Sequence, residues 1–216
     1  MEEPRLRIEA LPGGGPPATR RALARADGAR AIVLVEGISD QIALETLAAR
    51  HGRELDREGI LIVPIGGAQA IHRFLTRFGP RGRRTQGPNV RLAGLCDAGE
   101  ADVFRRSLER AAFGSRLTRL DMERLGFHVC HEDLEDELIR ALGAASVVAV
   151  LDSQGDLGSF RTFQKQPAWR GQPLERQLRR FMGSADRRKL RYARLLVDAL
   201  DLDEVPRPLE RVLAHV

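Results

Sequence analysis

Short apolar runs alternating with amphipathic stretches predict an α/β fold: a four-stranded parallel sheet flanked by helices, with a C-terminal helical appendage. Three observations carry this. Ala31-Ile32-Val33-Leu34-Val35 is a continuous, β-branched run of the kind that lies buried on both faces of a sheet. The order strand, tight turn, helix then recurs along the chain, which calls for right-handed crossovers between parallel neighbours. From Ala144 onward only helical periodicity is seen.

Residues 1–28 include Leu11-Pro12-Gly13-Gly14-Gly15-Pro16-Pro17, too rich in glycine and proline to pack regularly, and are expected to be a flexible lead-in with a short helix near Arg20 to Ala26. The first strand ends at Glu36-Gly37. Ser39 or Asp40 then caps a helix to about Arg50, with Ala43, Leu44, Leu47 and Ala48 at helical spacing. Ile60 to Ile65 reads as the second strand, Gly66-Gly67 as a tight turn and Ala68 to Phe78 as a helix. After an arginine- and glycine-rich loop, Val90 to Cys96 forms a third strand ending at Asp97, and Ala101 to Ala112 a third helix. Phe127 to Cys130 is the fourth strand, leading into His131-Glu132-Asp133-Leu134-Glu135-Asp136-Glu137-Leu138. In the appendage the clearest helix runs from Asp186 to Leu200, with Leu190, Ala193, Leu196, Val197 and Leu200 on one face and Arg187, Arg191 and Arg194 on another. The expected organisation is a flexible segment over 1–28, an α/β domain over 29–143 and the appendage over 144–216.

The 216 residues, 43% of them hydrophobic, suffice for one packed domain with a smaller layer against it. No apolar stretch approaches the roughly 18 residues of a membrane helix, and Glu2 and Glu3 stand where a leader would be basic, so a soluble, cytoplasmic protein is expected. Cys96 and Cys130 each sit in a strand-like run, which favours buried thiols over a disulfide. Two distant cysteines also cannot supply the four ligands of a primase-type zinc site. The net charge of +5 permits a polyanionic partner. Its placement is uneven: six arginines and no acid lie between Arg73 and Arg91, and eight basic residues face the single acid Asp186 between Arg176 and Arg194. Such patches suit phosphate contacts and solvated surface alike. Lys165 and Lys189 are the only lysines.

In a parallel α/β sheet, ligands sit at the carboxyl ends of the strands. Here three strand ends deliver acids: Glu36, Asp97, and the cluster after the fourth strand. Carboxylates forced together raise one another's pKa unless a divalent cation neutralises them, so this edge reads as a Mg²⁺ site with hard oxygen ligands. Glu36 directly abuts five buried apolar residues, where its charge is destabilised unless something ligates it. Asp40 faces the same space or simply caps its helix. Asp133, Glu135, Asp136 and Glu137 open a helix, and only some of them can point at the site.

Val35-Glu36-Gly37-Ile38-Ser39-Asp40, the Gly66-Gly67 turn, Asp97-Ala98-Gly99-Glu100 and Asp133-Leu134-Glu135-Asp136 together resemble the Toprim domain, and more narrowly that of the overcoming-lysogenisation-defect (OLD) family nucleases. The resemblance implies a glutamate ending the first strand, an Asp-x-Asp pair after the third, and Mg²⁺ or Mn²⁺ held between them. Glu36, Asp40 and Asp97 match; position 99 is glycine, so Glu100 or Asp102 is expected to supply the missing oxygen. The implied metal ligands are Glu36, Asp40, Asp97, Glu100, Asp133 and Glu135, flanking a scissile phosphate of nucleic acid, DNA foremost. Glu36 and Lys165 take the catalytic roles, because Phe163-Gln164-Lys165-Gln166-Pro167 sits where those nucleases carry a lysine. Gly66 and Gly67 allow backbone to approach phosphate, although a plain tight turn also explains them. Arg81, Arg83, Arg84, Arg187, Arg188 and Lys189 complete the candidate nucleic-acid contacts.

The OLD relatives usually carry an ATPase in the same chain, and no Gly-x-x-x-x-Gly-Lys-Ser/Thr occurs here, so any ATP dependence is expected from a separate ATPase protein. The sole tyrosine, Tyr192, lies inside an amphipathic helix, which argues against a topoisomerase nucleophile. The expected activity is a two-metal Toprim endonuclease. The alternative, favoured by Gly99, is a degenerate Toprim domain that binds nucleic acid or protein without cutting.

Overall fold

The computed structural model describes residue 26 and residues 28–80 and 90–216. The lead-in expected over 1–28 falls almost wholly outside the described residues, as do the loop arginines Arg81, Arg83 and Arg84.

Four strands form one parallel sheet in the order β2-β1-β3-β4: β1 Ala31–Val35, β2 Ile60–Pro64, β3 Arg91–Cys96 and β4 Phe127–Val129. The apolar run of β1 places it at the centre, where it is buried throughout. Alternate side chains divide between two cores. Ala31, Val33 and Val35 join Ile60, Ile62, Ala93 and Leu95 on one face. Ile32 and Leu34 join Leu61, Val63, Leu92 and Cys96 on the other. Because β1 has β2 on one side and β3 on the other, the topological switch point lies between the carboxyl ends of β1 and β3.

Helices cover both faces. On one, α3 (Ile71–Phe78) and α4 (Ala101–Arg110) bury Ile71, Phe74, Leu75, Phe104 and Leu108. The expected helix from Ala68 opens with a 3-10 turn at Ala68–Ala70, and α4 is preceded by another at Ala98–Glu100. Against the other face lie α1 (Ile38–Arg50) and α6 (Leu134–Leu142), with the short α2 (Leu55–Glu58) and α5 (Arg119–Arg124) in connections. The helices after Gly143 are α7 (Ala144–Ser153), α8 (Leu157–Gln164), α9 (Leu174–Met182), α10 (Asp186–Ala199) and α11 (Arg207–Ala214). They share a continuous core with the sheet: Val147, Leu178, Tyr192, Leu196 and Leu209 belong to the same cluster as Val33 and Val35. Thus α10 packs its apolar stripe on α1, where Ala193, Leu196 and Val197 meet the core formed by Ala43, Leu44 and Leu47, and Arg50 Nη1 donates to the Val197 carbonyl at 2.6 Å.

At Gly94 of β3, an added Cβ would lie 2.6 Å from the Phe127 ring and 3.1 Å from the Leu34 carbonyl oxygen. Gly94→Ala is therefore expected to destabilise the fold by about 1–3 kcal/mol, read as a lower thermal midpoint. Cys96 and Cys130 are both free and buried, and burial pushes both thiols well above their ordinary range.

Candidate metal centre

The switch point is bridged by Glu36. The left-handed backbone at Gly66 (φ +80°) and Gly67 (φ +101°) turns both N–H groups onto the Glu36 carbonyl, at 3.2 and 3.0 Å. The Glu36 side chain crosses to the next strand end, where Oε1 accepts the Asp97 N–H at 2.9 Å. The two expected strand-end acids therefore meet. Burial raises the Glu36 pKa to about 7; the Asp97 N–H pulls it back, while the charges of Asp97 and Glu100 push it up. Asp97 also rises to about 7, through burial and then the charges of Asp40 and Asp133.

The helix opens at Ile38 with Gly37 as its N-cap, so neither Ser39 nor Asp40 takes the cap position expected of them; Asp40 stands at the third helical position. Its Oδ2 accepts the Gly37 N–H at 2.8 Å, closing the first turn of α1, and the same carboxylate lies buried beside the other acids. Burial raises its pKa to about 7, against the pull of the Gly37 N–H and of Lys189, with Glu135 and Glu36 adding to the rise.

Of the acids after β4, two join this group. Asp133 caps α6, its Oδ1 accepting the Asp136 N–H at 2.8 Å, while its Oδ2 accepts from Arg179 Nε at 2.7 Å. Burial lifts its pKa to about 6. Glu135 is buried, and its Oε1 accepts no hydrogen bond from any described residue. The other two serve the turn: Glu137 Oε1 accepts the His131 N–H at 2.6 Å, and Asp136 pairs with His131 at 3.2 Å.

Besides Arg179 on Asp133, a second cation reaches these acids: Lys189, from the first turn of α10. Its Nζ lies 3.5 Å from Glu135 Oε1. Burial pulls the ammonium down, but Glu135, Asp40, Asp97 and Asp133 together hold its pKa above the ordinary lysine value. Sequence reasoning placed Lys189 on a phosphate-binding surface and gave the catalytic role to Lys165. Lys165 instead ends α8, exposed, and none of the leading charges acting on the acids comes from it. The signal for Lys189 was its rarity among arginines, which it shares with Lys165; only the docking of α10 on α1 separates them.

Other expected roles also shift. The amides of Gly66 and Gly67 are engaged by the Glu36 carbonyl, so these glycines position Glu36 and have no free N–H for a phosphate. Glu100 acts on Glu36 but is not among the leading charges on Asp40, Asp97 or Asp133, so it stands at the margin of the cluster. Asp102 is held in an exposed pair with Arg105 at 3.2 Å. Arg187 is exposed on α10, and Arg188 is turned against Phe181.

Residues 29–82 match the family model of the overcoming lysogenization defect (OLD) protein-like Toprim domain. A search of curated proteins found no match. Among solved structures, the C-terminal region of the Burkholderia pseudomallei OLD protein aligns with a TM-score of 0.62 at 22% identity, over 87% of this chain and 96% of that one. The C-terminal region of the Xanthomonas campestris pv. campestris OLD protein aligns with a TM-score of 0.62 at 23% identity, over 89% of this chain and 94% of that one. Over residues 29–82 the chain is similar to the OLD-like Toprim domain, and its fold is that of the C-terminal region of these OLD proteins.

Toprim domains generally bind divalent metal, and the chemistry of the donors here suits one: hard carboxylate oxygens, three of them on acids whose charge is disfavoured by burial, and one buried oxygen on Glu135 that accepts no hydrogen bond from a described residue. Among the described residues, the donor atoms that all lie within 4.8 Å of one another are those of His131, Glu132 and Asp136, where Glu132 is paired with Arg179 and Asp136 with His131 and Arg140; no three of Glu36, Asp40, Asp97, Asp133 and Glu135 come so close. Tyr192 is no nucleophile: it is buried and donates to Asp156 Oδ2 at 2.7 Å, and burial with that bond raises its pKa to about 12. No described helix is long and apolar enough to cross a membrane.

Proposed function

We propose that this nuclease-related domain is a metal-dependent endonuclease, hydrolysing phosphodiester bonds of nucleic acid, DNA foremost, with Mg²⁺ or Mn²⁺ held by Glu36, Asp40, Asp97, Asp133 and Glu135. The observation that carries the reading is the placing of Glu36 against the Asp97 N–H at the switch point of a parallel sheet, with Asp40 buried nearby and burial and mutual charge raising all three carboxyls to about 7. When bound, divalent cations there would activate a water and neutralise charge on the phosphoryl oxygens.

The chain's own residues supply the rest. The Asp97 N–H and the Gly66-Gly67 turn hold Glu36 from both ends, fixing its carboxylate at the mouth of the sheet. Gly37 fixes Asp40 in the same way. Lys189, kept protonated by its acidic neighbours, is the fixed positive charge that meets a phosphoryl oxygen.

The test is nicking of supercoiled plasmid. Wild-type protein is expected to nick with Mg²⁺ or Mn²⁺ and not in chelator, and Glu36→Ala to lose at least about 100-fold in rate. Gly99 favours a second reading, a domain that binds without cutting: retained plasmid binding, with no nicking under any metal, would establish it in place of the first.

A further inference from the structure

Helices α8 and α9 and the start of α10 enclose an open cavity of about 400 Å³ that the acid cluster does not use. Its size falls within the roughly 300–1,000 Å³ of small-ligand sites. The floor is aromatic. Phe163 stacks on Trp169 with centroids 5.2 Å apart and planes 27° apart, and meets Phe181 at 5.6 Å. Phe181 is buried in the core, Phe163 is half-buried against it, and Trp169 stacks beyond, half-exposed at the rim.

The wall is cationic. Arg180 is exposed and makes no hydrogen bond or ion pair with a described residue. Arg188 lays its guanidinium 4.1 Å over the Phe181 ring and donates from Nη1 to Ser184 Oγ at 2.8 Å, leaving Nε and Nη2 without a protein acceptor among the described residues. No carboxylate lines the cavity. Phe163 is sandwiched between Phe160 and Trp169, so the ring surface offered to the cavity is that of half-exposed Trp169, and its place beside two arginines, with no acid, matches the needs of a base and its phosphate.

The cavity also adjoins the acids. Arg180 follows Arg179, which binds Asp133; Arg188 precedes Lys189, which faces Glu135. Neighbouring Cα atoms are about 3.8 Å apart, so the same two helix segments present one residue to the acid cluster and the next to the cavity.

We propose that this cavity is a subsite for single-stranded nucleic acid: one unpaired base stacks on Trp169, which Phe163 backs, and Arg180 and Arg188 hold the adjoining phosphate. Bases inside a duplex have both faces covered, so the platform selects a splayed or single-stranded nucleotide. Its link to cleavage rests on the nuclease reading; binding itself does not.

Trp169 is the only tryptophan, so its fluorescence reports on this cavity. The full chain in chelator, titrated with a short oligothymidylate, is expected to show saturable quenching, and a blunt duplex of equal length to show at least about ten-fold weaker quenching. The double substitution Arg180→Ala with Arg188→Ala should weaken binding at least about ten-fold. By anisotropy of a labelled oligonucleotide, Trp169→Phe should retain affinity and Trp169→Ala lose about ten-fold, with circular dichroism confirming that each variant folds. Absent quenching, equal binding of duplex, or an unaffected arginine variant each overturns the subsite. Plasmid nicking with a silent tryptophan would sink the subsite alone; quenching without nicking would leave it standing while the nuclease reading fails.

Discussion

Lys189→Ala is expected to slow metal-dependent plasmid nicking by about 100-fold or more, whereas Lys165→Ala stays within about two-fold. The contrast follows from placement. Lys189 Nζ sits 3.5 Å from Glu135 and is held charged by four carboxylates, whereas Lys165 ends α8 with its side chain exposed. Arginine at 189 should recover little, because its planar fork does not replace a compact ammonium among converging oxygens. Initial nicking rates, with thermal melting to confirm folding, decide the matter. A larger loss in Lys165→Ala than in Lys189→Ala would falsify the assignment.

Without metal, the site opposes folding at neutral pH, and Asp40→Asn should reveal it. The Asp40 carboxyl titrates near 3.9 in an unfolded chain and at about 7 in the folded one. Between those values the folded protein holds more protons than the unfolded, so this group's contribution is fully present below about pH 4 and is lost as the pH rises toward 7. Asparagine keeps an oxygen to accept the Gly37 N–H but carries no charge. Asp40→Asn in chelator should therefore melt roughly 3 °C or more above wild type at pH 8, the gap closing near pH 4. Mg²⁺ or Mn²⁺ should raise the wild-type midpoint more at pH 8 than at pH 5, and raise that of Asp40→Asn less at either. An Asp40→Asn protein that melts below wild type at pH 8 contradicts the account.

The parts of this centre that could be read along the chain are those that local chemistry dictates. β1 announces itself as a buried run, and Glu36 and Asp97 stand where such runs end, so their meeting follows from strand order alone. The acids after β4 were legible as a group but not individually. Whether Asp136 or Asp133 turns inward depends on the cap of α6 and on His131, which only the folded turn resolves. The Gly66-Gly67 turn was recognised, but the partner of its amides was not, because that partner is a carbonyl on another strand end. Lys189 was hidden for the same reason. Nothing in its neighbourhood distinguishes it from a surface lysine until Leu196 and Val197 seat α10 on α1.

That seating makes the centre a product of tertiary structure, not of local sequence. Asp40 and Lys189 come from opposite ends of the described chain, joined through two helices whose contact is purely tertiary. Until α10 docks, the acids at the sheet edge face one another with no ammonium between them. On the nuclease reading, a polypeptide halted before that helix would carry the carboxylates of the sheet edge without the Lys189 ammonium that faces them.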